Sequence, residues 1–315
     1  MTARVFIDGE AGTTGLQIRE RLACRRDVEL LSIDPSKRKD LDARAELLNA
    51  ADIAILCLPD AAAVESVSLI KNTTTKVIDA STAHRVDPNW VYGFAEMASD
   101  QEAAIAGGRF VANPGCYPQG LIACVRPLIA AGLLPADYPV VMNAISGYSG
   151  GGRQMMETYE AEYHPAPYMP YGLTFNHKHL PEMQHYSGLK GAPLFQPAVG
   201  NYAQGMVTSV PLQLSTLPRI PKAAELHAAL ADYYPSGRGF VEVAPLEHLD
   251  KTPELDPETY NGTNIMRLHV FANDDKAQAL LMAVYDNLGK GASGAAIQNL
   301  NLMLGIDQKQ GLSAG

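Results

Sequence analysis

A glycine-rich turn between a short strand and a helix constrains the fold of this chain more than any other feature. The apolar residues 5–7 predict a buried strand, and a helical apolar periodicity follows over residues 16–22. Between them, Gly9, Gly12 and Gly15 have the spacing G-x-x-G-x-x-G. Such glycines let the backbone approach a pyrophosphate, which the N–H groups of the helix N-terminus then bind. This context predicts a dinucleotide-binding βαβ unit, with a turn that binds no ligand as the alternative.

Further strands and helices are predicted to alternate along the first third of the chain. Apolar patterns predict strands at residues 28–33, 52–58, 76–79 and 110–112 and helices at residues 41–50 and 64–70. Short alternating elements of this kind are typical of a doubly wound parallel sheet, in which ligands bind beyond the carboxyl ends of the strands. Pro59, Ser81 and Arg85 should lie at that edge, and Arg85 is suited to an anionic substrate group.

The residues after the second predicted strand bear on the choice of nucleotide. Asp34 stands where an acid often accepts the ribose hydroxyls of NAD. Lys37, Arg38 and Lys39 follow it. Because a guanidinium can hold a phosphate through two parallel hydrogen bonds, Arg38 is the preferred ligand for a 2′-phosphate. The pattern favours NADP over NAD, and a solvated charged loop is the alternative.

The segment N-P-G-C-Y-P-Q-G at residues 113–120 places Cys116 shortly before residues 121–130, which predict a helix. Unpaired N–H groups and the positive end of the helix dipole favour the thiolate, which is the nucleophilic form of cysteine. Cys24 and Cys57 are expected to be ordinary core or near-surface thiols. Cys116 is therefore the predicted nucleophile.

Two downstream segments carry further candidate groups. Residues 145–153 combine small residues with Arg153, a composition that can hold a phosphate or carboxylate but also suits a flexible crossover loop. His177 and His179 form an H-x-H motif, which with no obvious third ligand is a poor metal site. A histidine beside a reactive cysteine more often activates the thiol and moves protons. The sequence leaves open which of the two does so.

The second part of the chain has a different character. Strands are predicted at residues 206–214 and 266–271 with a helix at residues 223–233, which indicates an α+β domain beginning near Cys116. Residues 159–171, rich in Tyr and Pro, are expected to be irregular.

Composition and charge exclude several classes of protein. The formal net charge of −9 argues against a general nucleic-acid binder. No apolar run approaches the roughly 18–20 residues that span a bilayer, and no signal-like segment opens the chain. Four cysteines without a C-x-x-C pair indicate a reducing, cytoplasmic setting.

Taken together, these segments resemble the N-acetyl-γ-glutamyl-phosphate reductase family, the arginine-biosynthesis branch of the semialdehyde dehydrogenases, in its shorter form. The resemblance covers nearly the whole chain. Its most specific part is P-G-C-Y-P followed by G, with S-G-Y-S-G-G-G-R and H-x-H-x-P-E downstream. The family usually carries threonine where this chain has Gln119, so the hydroxyl is lost at that position while the nucleophile is kept.

The resemblance implies a domain organisation and ligands. A Rossmann-like NADP-binding domain is expected at residues 1–115, with a C-terminal helix at residues 290–306 returning to it. An α+β catalytic and oligomerisation domain is expected at residues 116–289. NADPH, a small acyl-phosphate substrate, no metal, and a homodimer or homotetramer are implied.

Roles for individual residues follow from the motifs and from the resemblance. Catalysis is assigned to Cys116, His177 and His179. Cofactor contacts are predicted for Gly9, Gly12, Thr13, Thr14, Gly15, Arg38, Pro59, Ser81, Asn287, Lys290 and Gly291. Substrate contacts are predicted for Arg85, Asn113, Ser149, Arg153 and Glu182.

Two other functions stay open at this point. Aspartate-β-semialdehyde dehydrogenase uses the same cofactor and chemistry, although that family typically has different cysteine and histidine segments. A non-catalytic NADP-binding regulator would keep the glycine turn, but would have no reason to retain both Cys116 and the histidine pair.

Overall fold

The computed structural model describes residues 2–161, 164–246 and 255–314. The described chain divides into two compact units. The first comprises the chain up to Gly115 together with Ala292–Leu312, and the second comprises Cys116–Gly291 with the residues after Leu312. Each unit contains its own sheet, so each is described separately.

The first unit is built on a parallel sheet. Its strands are β1 (Ala3–Asp8), β2 (Val28–Leu31), β3 (Ile53–Leu56), β4 (Lys76–Asp79), β5 (Val91–Tyr92) and β6 (Phe110–Ala112). Within the described residues they form six parallel strands in the order β2-β1-β3-β4-β6-β5. Since β1 lies inside the sheet and its neighbours run parallel to it, the carboxyl ends of the strands share one edge.

Helices cover both faces of this sheet. They are α1 (Thr13–Ala23), α2 (Leu41–Ala50), α3 (Asp60–Leu69), α4 (Gln101–Gly107) and, from the end of the chain, α9 (Gly294–Leu304). Val5 and Ile7 of β1 pack in the core that α1, α4 and α9 cover, whereas Phe6 packs in the core beneath α2 and α3. Because successive strand residues point to opposite faces, one apolar strand serves both cores. The predicted doubly wound parallel sheet is confirmed.

The second unit contains a mixed sheet. Its strands are β7 (Val141–Gly147), β8 (Tyr168–Pro170), β9 (Leu194–Gly200), β10 (Met206–Gln213), β11 (Val241–Val243), β12 (Met266–Asn273) and β13 (Gln278–Tyr285). Among the described residues these seven strands lie in the order β11-β12-β13-β10-β7-β9-β8. Its helices are α5 (Cys116–Ala130), α6 (Gly152–Ala161), α7 (Leu180–Ser187) and α8 (Ala223–Tyr233). Helix α5 packs on β10 and β13 and also contacts α7 and α8. The predicted α+β character is confirmed.

Helix α5 begins earlier than its sequence predicts. It starts at Cys116 instead of residue 121, so that Pro118 and Gly120 lie within it. Proline is tolerated in a first helical turn, where its missing N–H has no intrahelical acceptor to lose. A Cβ atom on Gly120 would lie 2.4 Å from Thr208 Oγ1 and 2.8 Å from Tyr285 Oη. Close packing on β10 and β13 therefore explains a glycine inside the helix.

The expectation that residues 159–171 are irregular is wrong at both ends of that segment. Helix α6 extends to Ala161, and Tyr168–Pro170 forms strand β8 at the edge of the sheet beside β9. Proline is compatible with an edge strand because one side of that strand makes no sheet hydrogen bonds. In the part of the chain that the structure describes, no helix is long and apolar enough to cross a membrane.

Gly15→Ala is expected to destabilise the protein. Its new Cβ would lie 2.5 Å from the carbonyl oxygen of Gly9 and 2.9 Å from Glu10 Cα, and both are backbone atoms. Overpacking of this kind typically costs about 1–3 kcal/mol. Gly107→Ala at the end of α4 is the matched control, since its Cβ would meet no described atom within 4 Å. Urea unfolding of both variants measures the difference, and equal stabilities would contradict the prediction.

Candidate active site

The glycine turn after β1 has the geometry of an anion-binding turn. Gly9 has a φ of +90°, and a Cβ there would lie 2.3 Å from the carbonyl oxygen of Cys57, so only glycine fits. The N–H of Gly12 donates to the carbonyl of Gly9 at 3.1 Å, which closes the turn. Thr13 and Thr14 then begin α1. The turn and the helix N-terminus together suit a dinucleotide pyrophosphate.

The three glycines of this turn have different roles. Gly9 and Gly15 are required by packing, because a Cβ at either would clash with backbone atoms. A Cβ at Gly12 would make only an ordinary contact of 3.5 Å with the carbonyl oxygen of Gly9. Packing does not require a glycine at position 12, which is consistent with a role in letting a ligand approach the backbone.

Arg38 shares a buried carboxylate with a second arginine. Its Nη2 lies 3.1 Å from Glu10 Oε1, and Arg19 Nη1 lies 3.0 Å from Glu10 Oε2. Glu10 is 7% exposed, whereas both arginine side chains are nearly half exposed. The carboxylate therefore holds two guanidinium groups together while leaving much of each open to solvent. Sequence reasoning missed Glu10 and Arg19, because only the fold brings the turn, α1 and the Arg38 segment together.

Asp34, the alternative nucleotide ligand, is engaged locally. Its Oδ1 accepts hydrogen bonds from the hydroxyl and the backbone N–H of Ser36 at 2.7 and 2.8 Å. These two bonds lower the pKa of the Asp34 carboxyl. The carboxylate thus caps the short turn that leads to Arg38.

A buried carboxylate organises the loop after β4. Asp79 accepts from the hydroxyl of Ser81 at 2.6 Å, and its Oδ2 lies 2.6 Å from His84 Nδ1. The His84 ring stacks on Trp90 with centroids 4.1 Å apart. Ser81, a predicted cofactor contact, therefore uses its hydroxyl proton within the loop. Pro59 lies between β3 and α3 and immediately precedes the helix.

Arg85 and Asn113 are buried in the first unit and bonded to its main chain. Arg85 Nε donates to the carbonyl of Asn113 at 3.0 Å, and its Nη2 donates to the carbonyl of Ala80 at 3.1 Å. Asn113 Nδ2 donates to the carbonyl of Ala292 at 3.0 Å. These bonds connect the β4 loop, the end of β6 and the start of the C-terminal segment.

In the second unit, Cys116 is the first residue of α5 and is half-buried. Its carbonyl accepts a hydrogen bond of 2.6 Å from the hydroxyl of Tyr285. A Cβ on Gly291 would lie 3.0 Å from Cys116 Cβ, so this predicted cofactor contact packs directly against the cysteine. The thiol thus belongs to a helix start that is held from β13 and from the segment after it.

The remaining cysteines have different surroundings. Burial raises the pKa of the Cys124 thiol to about 12. Burial, with the nearby carboxylates of Asp79 and Asp8, raises the pKa of Cys57 to about 12 as well. Cys24 is exposed. Cys57 and Cys124 are therefore thiols at neutral pH, which fits structural roles.

The two histidines of the H-x-H motif lie next to Tyr117, the residue that follows Cys116. The ring centroids of His177 and His179 lie 6.2 and 6.1 Å from that of Tyr117, and 4.7 Å from each other. His179 directly precedes α7, which packs on α5. The contact between these helices therefore brings the motif to the start of α5.

The hydrogen bond and the pKa of His177 determine its charge and which ring nitrogen carries the proton. The backbone N–H of His179 donates to His177 Nδ1 at 3.1 Å, so Nδ1 acts as an acceptor. Burial, helped by the charge of Lys178, lowers the pKa of His177 to about 4. At neutral pH the ring is then neutral, and its proton resides on Nε2.

Other predicted site residues are paired with one another or with the scaffold. Asn287 Oδ1 accepts from the N–H of Gly205 at 2.7 Å, and its Nδ2 donates to Ser149 Oγ at 3.0 Å. Lys290 is fully buried, with Nζ 5.9 Å from the centroid of the Phe240 ring. The bond from Asn287 to Ser149 connects the segment after β13 to the loop at residues 145–153.

The remaining two substrate candidates differ in exposure. Arg153 is largely exposed and forms an ion pair of 2.7 Å with Glu157, one turn further along α6. Glu182 is buried in the first turn of α7. Among the described residues, no group of three His, Cys, Asp or Glu side chains is arranged to hold a metal ion.

Sequence reasoning also missed Tyr171 and Tyr285, two tyrosines near the cysteine. Tyr171 donates its phenol proton to Tyr117 Oη at 3.3 Å, and Tyr117 donates to the carbonyl of Ala198 at 3.2 Å. Burial raises the pKa of Tyr171 to about 12. Tyr285 was missed because the whole of β13 was not predicted. Only the tyrosine-rich composition of residues 159–171 gave a signal for Tyr171.

Comparison with known proteins places both units in one class. Residues 4–105 match the family model "Semialdehyde dehydrogenase, NAD binding domain", and residues 116–287 match "Semialdehyde dehydrogenase, dimerisation domain". The chain is therefore a semialdehyde dehydrogenase by class. Its first unit is a nicotinamide-dinucleotide-binding domain, as the glycine turn indicates, and its second carries the dimerisation domain of the class.

Curated relatives narrow the class. A protein from Chelativorans sp. (strain BNC1), named N-acetyl-gamma-glutamyl-phosphate reductase, is 67% identical over 306 residues, which cover 96% of this chain and 99% of the relative. N-acetyl-gamma-glutamyl-phosphate reductase 2 of Nostoc sp. (strain PCC 7120) is 54% identical, covering 98% and 99%. The chain belongs to the N-acetyl-γ-glutamyl-phosphate reductase family, which confirms the resemblance seen in its motifs.

Solved structures agree on the fold. Aspartate semialdehyde dehydrogenase II from Vibrio cholerae, complexed with ASA, superposes with a TM-score of 0.71 at 15% identity, covering 96% of this chain and 98% of that one. Aspartate semialdehyde dehydrogenase with NADP from Candida albicans gives a TM-score of 0.66 at 12% identity, covering 96% and 99%. At such identities the likeness extends to the fold alone.

The depressed pKa of His177 predicts a loss of stability in acid. The folded pKa of about 4 lies below the ordinary histidine pKa of 6.5, so between these values the unfolded chain binds a proton that the folded chain does not. From pH 7 to pH 5, the wild type should lose more unfolding free energy than His177→Gln, by at most about 2 kcal/mol at about 1.4 kcal/mol per pH unit, because solvent screens this half-buried ring. Urea unfolding at both pH values measures this difference, and equal losses would contradict a neutral, half-buried His177.

Proposed function

We propose that the chain catalyses the NADPH-dependent reductive dephosphorylation of N-acetyl-γ-glutamyl phosphate. The products are N-acetylglutamate semialdehyde and phosphate, and the reaction belongs to arginine biosynthesis. The observation that carries the proposal is Cys116 at the start of α5, with His177 and His179 beside the adjacent Tyr117. The names of relatives at 54–67% identity support the substrate.

Cys116 is proposed as the nucleophile. Its thiolate attacks the acyl carbon, a C–S bond forms, and the bond from that carbon to the phosphate oxygen breaks as phosphate leaves with the electron pair. The product of this step is a thioester on Cys116. NADPH, when bound, supplies the hydride that reduces this thioester carbon. Cleavage of the C–S bond then returns the thiolate and releases the aldehyde.

The start of α5 and the histidine pair are suited to the charge that develops. Backbone N–H groups in a first helical turn have no intrahelical acceptor. Pro118 has no N–H, so the available donors after the cysteine are the N–H groups of Tyr117 and Gln119. Such donors stabilise an oxyanion. Proton transfer to and from the substrate oxygen is proposed for the His177–His179 pair, in which the neutral His177 carries its proton on Nε2.

The assignment of the other residues completes the proposal. The dinucleotide is proposed to contact the glycine turn, and its other proposed contacts are Arg38, Pro59, Ser81, Asn287, Lys290 and Gly291. The substrate is proposed to contact Arg85, Asn113, Ser149, Arg153 and Glu182. A homodimer or homotetramer and a cytoplasmic location are part of the same proposal, and the match to a dimerisation-domain model supports the first of these.

Cys116→Ala is expected to abolish NADPH oxidation with the acyl phosphate, because no thioester forms, while nucleotide binding survives. Cys24→Ala is the control and should keep full activity, since that thiol is exposed at the C-cap of α1 and has no proposed role in the chemistry. NADPH absorbance, phosphate release and a nucleotide titration measure the three properties. Substantial turnover by Cys116→Ala would refute the nucleophile.

The same preparation distinguishes the alternative functions. Run in reverse with phosphate, the wild type should oxidise N-acetylglutamate semialdehyde and not aspartate semialdehyde. In the Cys24→Ala background, iodoacetamide at neutral pH should label Cys116 and spare Cys57 and Cys124, whose pKa values are about 12. A preference for aspartate semialdehyde would favour the rival dehydrogenase, and an unreactive Cys116 would favour a regulator.

NADPH is proposed over NADH because Arg38 and Arg19 converge on one carboxylate, Glu10, and together leave a net positive charge. Arg38→Leu should weaken NADPH binding by roughly 10–100-fold, as loss of a charge-assisted hydrogen bond costs about 1.5–3 kcal/mol. NADH binding should change little. Lys39→Leu removes the same charge from the adjacent residue and is the control. Equal losses for both nucleotides, measured by fluorescence titration, would contradict this role of Arg38.

A further inference from the structure

Gln119, the residue that departs from the family pattern, makes a bond that no motif indicates. It lies in the first turn of α5, three residues after the nucleophile, and is fully buried. Its Nε2 donates to the carbonyl oxygen of Lys290 at 2.8 Å. The bond joins residues 171 positions apart in sequence.

That carbonyl belongs to a peptide group in contact with the cysteine. The Lys290 carbonyl and the Gly291 N–H are the two ends of one planar peptide. The N–H end donates to the carbonyl of Asp286 at 2.9 Å, and the carbonyl end accepts from Gln119. A Cβ on Gly291 would lie 3.0 Å from Cys116 Cβ and 3.6 Å from its Cα. Two hydrogen bonds therefore set the orientation of a peptide that packs against the nucleophile.

The beginning of this segment is anchored independently of Gln119. Asp286 accepts from the N–H of Leu288 at 2.8 Å and from the N–H of Gly262 at 2.9 Å. Removal of the Gln119 amide would thus remove this bond from the carbonyl end of the Lys290–Gly291 peptide while the start of the segment stays in place. The expected damage is local to Cys116.

The oxygen of the Gln119 side-chain amide, Oε1, differs from the nitrogen in its surroundings. Among the described residues, Gln119 Oε1 has no hydrogen-bond partner, although that atom is buried. A buried oxygen without a hydrogen-bond partner is destabilising. The contribution of the amide therefore comes from its donor. A threonine hydroxyl sits on Cβ, two bonds closer to the backbone than Nε2, and does not reach the same carbonyl.

We propose that Gln119 is a positioning residue for Cys116. By holding the Lys290–Gly291 peptide against the start of α5, it restricts the thiol to the orientation in which it attacks the acyl carbon. This inference rests on the proposed function, and it assigns to Gln119 no contact with substrate or cofactor. Misplacement of a reacting group by about 1 Å can cost about 100-fold in rate, so a bond this close to the nucleophile is sufficient for a measurable effect.

Gln119→Met tests the proposal, since methionine has a similar length and volume but no N–H. The expected result is a kcat at least about tenfold lower, with the KM for the acyl phosphate within about twofold of wild type. This pattern indicates that orientation is lost while substrate binding is kept. The iodoacetamide rate constant of Cys116, measured in the Cys24→Ala background, should change at least about threefold. Gln184→Met is the matched control, because Gln184 Nε2 donates to the carbonyl of Lys190 at the same 2.8 Å in a solvent-exposed bond.

Gln119→Glu adds a readout that a merely structural role would not move. A protonated carboxyl can donate to the Lys290 carbonyl, whereas a carboxylate cannot, and burial raises the pKa of such a carboxyl. Relative to the wild type at each pH, this variant should therefore keep activity in acid and lose it as the pH rises. A constant ratio across the pH range would contradict the proposal.

The outcomes are separable from those of the proposed function. If Gln119→Met folds and keeps both kcat and the alkylation rate within about twofold of wild type, the inference is overturned. If Gln119→Met fails to fold, the pH profile of Gln119→Glu decides. If the wild type shows no reductase activity, the proposed function fails, and the alkylation rates still decide whether Gln119 positions Cys116.

Discussion

The structure of the second unit depends on the way helix α5 is held against its sheet. The hydroxyl of Tyr285 donates to the carbonyl of Cys116, and Gly120 lets the helix approach Thr208 and the same tyrosine at distances that no larger residue permits. Burial raises the pKa of the Tyr285 phenol well above its ordinary value, so it remains a donor throughout the physiological range. Cys116, the proposed nucleophile, is therefore held through its backbone carbonyl.

Around this helix start, polar side chains mostly support the scaffold. Asn287 joins the segment after β13 to Ser149 and to the turn at Gly205, while Gln119 holds the next peptide. In the first unit Glu10 plays a comparable part, because it gathers Arg19 and Arg38 around one buried carboxylate. Pre-organisation of this kind reduces the conformational entropy lost when a ligand binds. It also explains why several motif residues appear as partners of other residues.

Local patterns predicted the first unit better than the second. The helix at residues 41–50 and the strand at residues 76–79 match α2 and β4, because each depends on a periodicity that is complete within a few residues. Strands β9 and β13 were missed, since their residues alternate weakly and acquire a buried face only from neighbouring strands. Helix α5 was predicted to begin too late because proline and glycine are local breakers, whereas packing on β10 and β13 accommodates both.

The sequence by itself determined the class of fold, the family and the chemistry most characteristic of it. A glycine turn after a strand and a cysteine between helix-breaking residues carry that information within a dozen positions each. Only the tertiary structure decided which groups surround them. These are the two ion pairs of Glu10 with Arg19 and Arg38, the neutral His177 with its proton on Nε2, and the hydrogen bond from Gln119 to Lys290. Hydrogen bonds and desolvation depend on distances in space, and the partners of Gln119 and Tyr285 lie about 170 residues away along the chain.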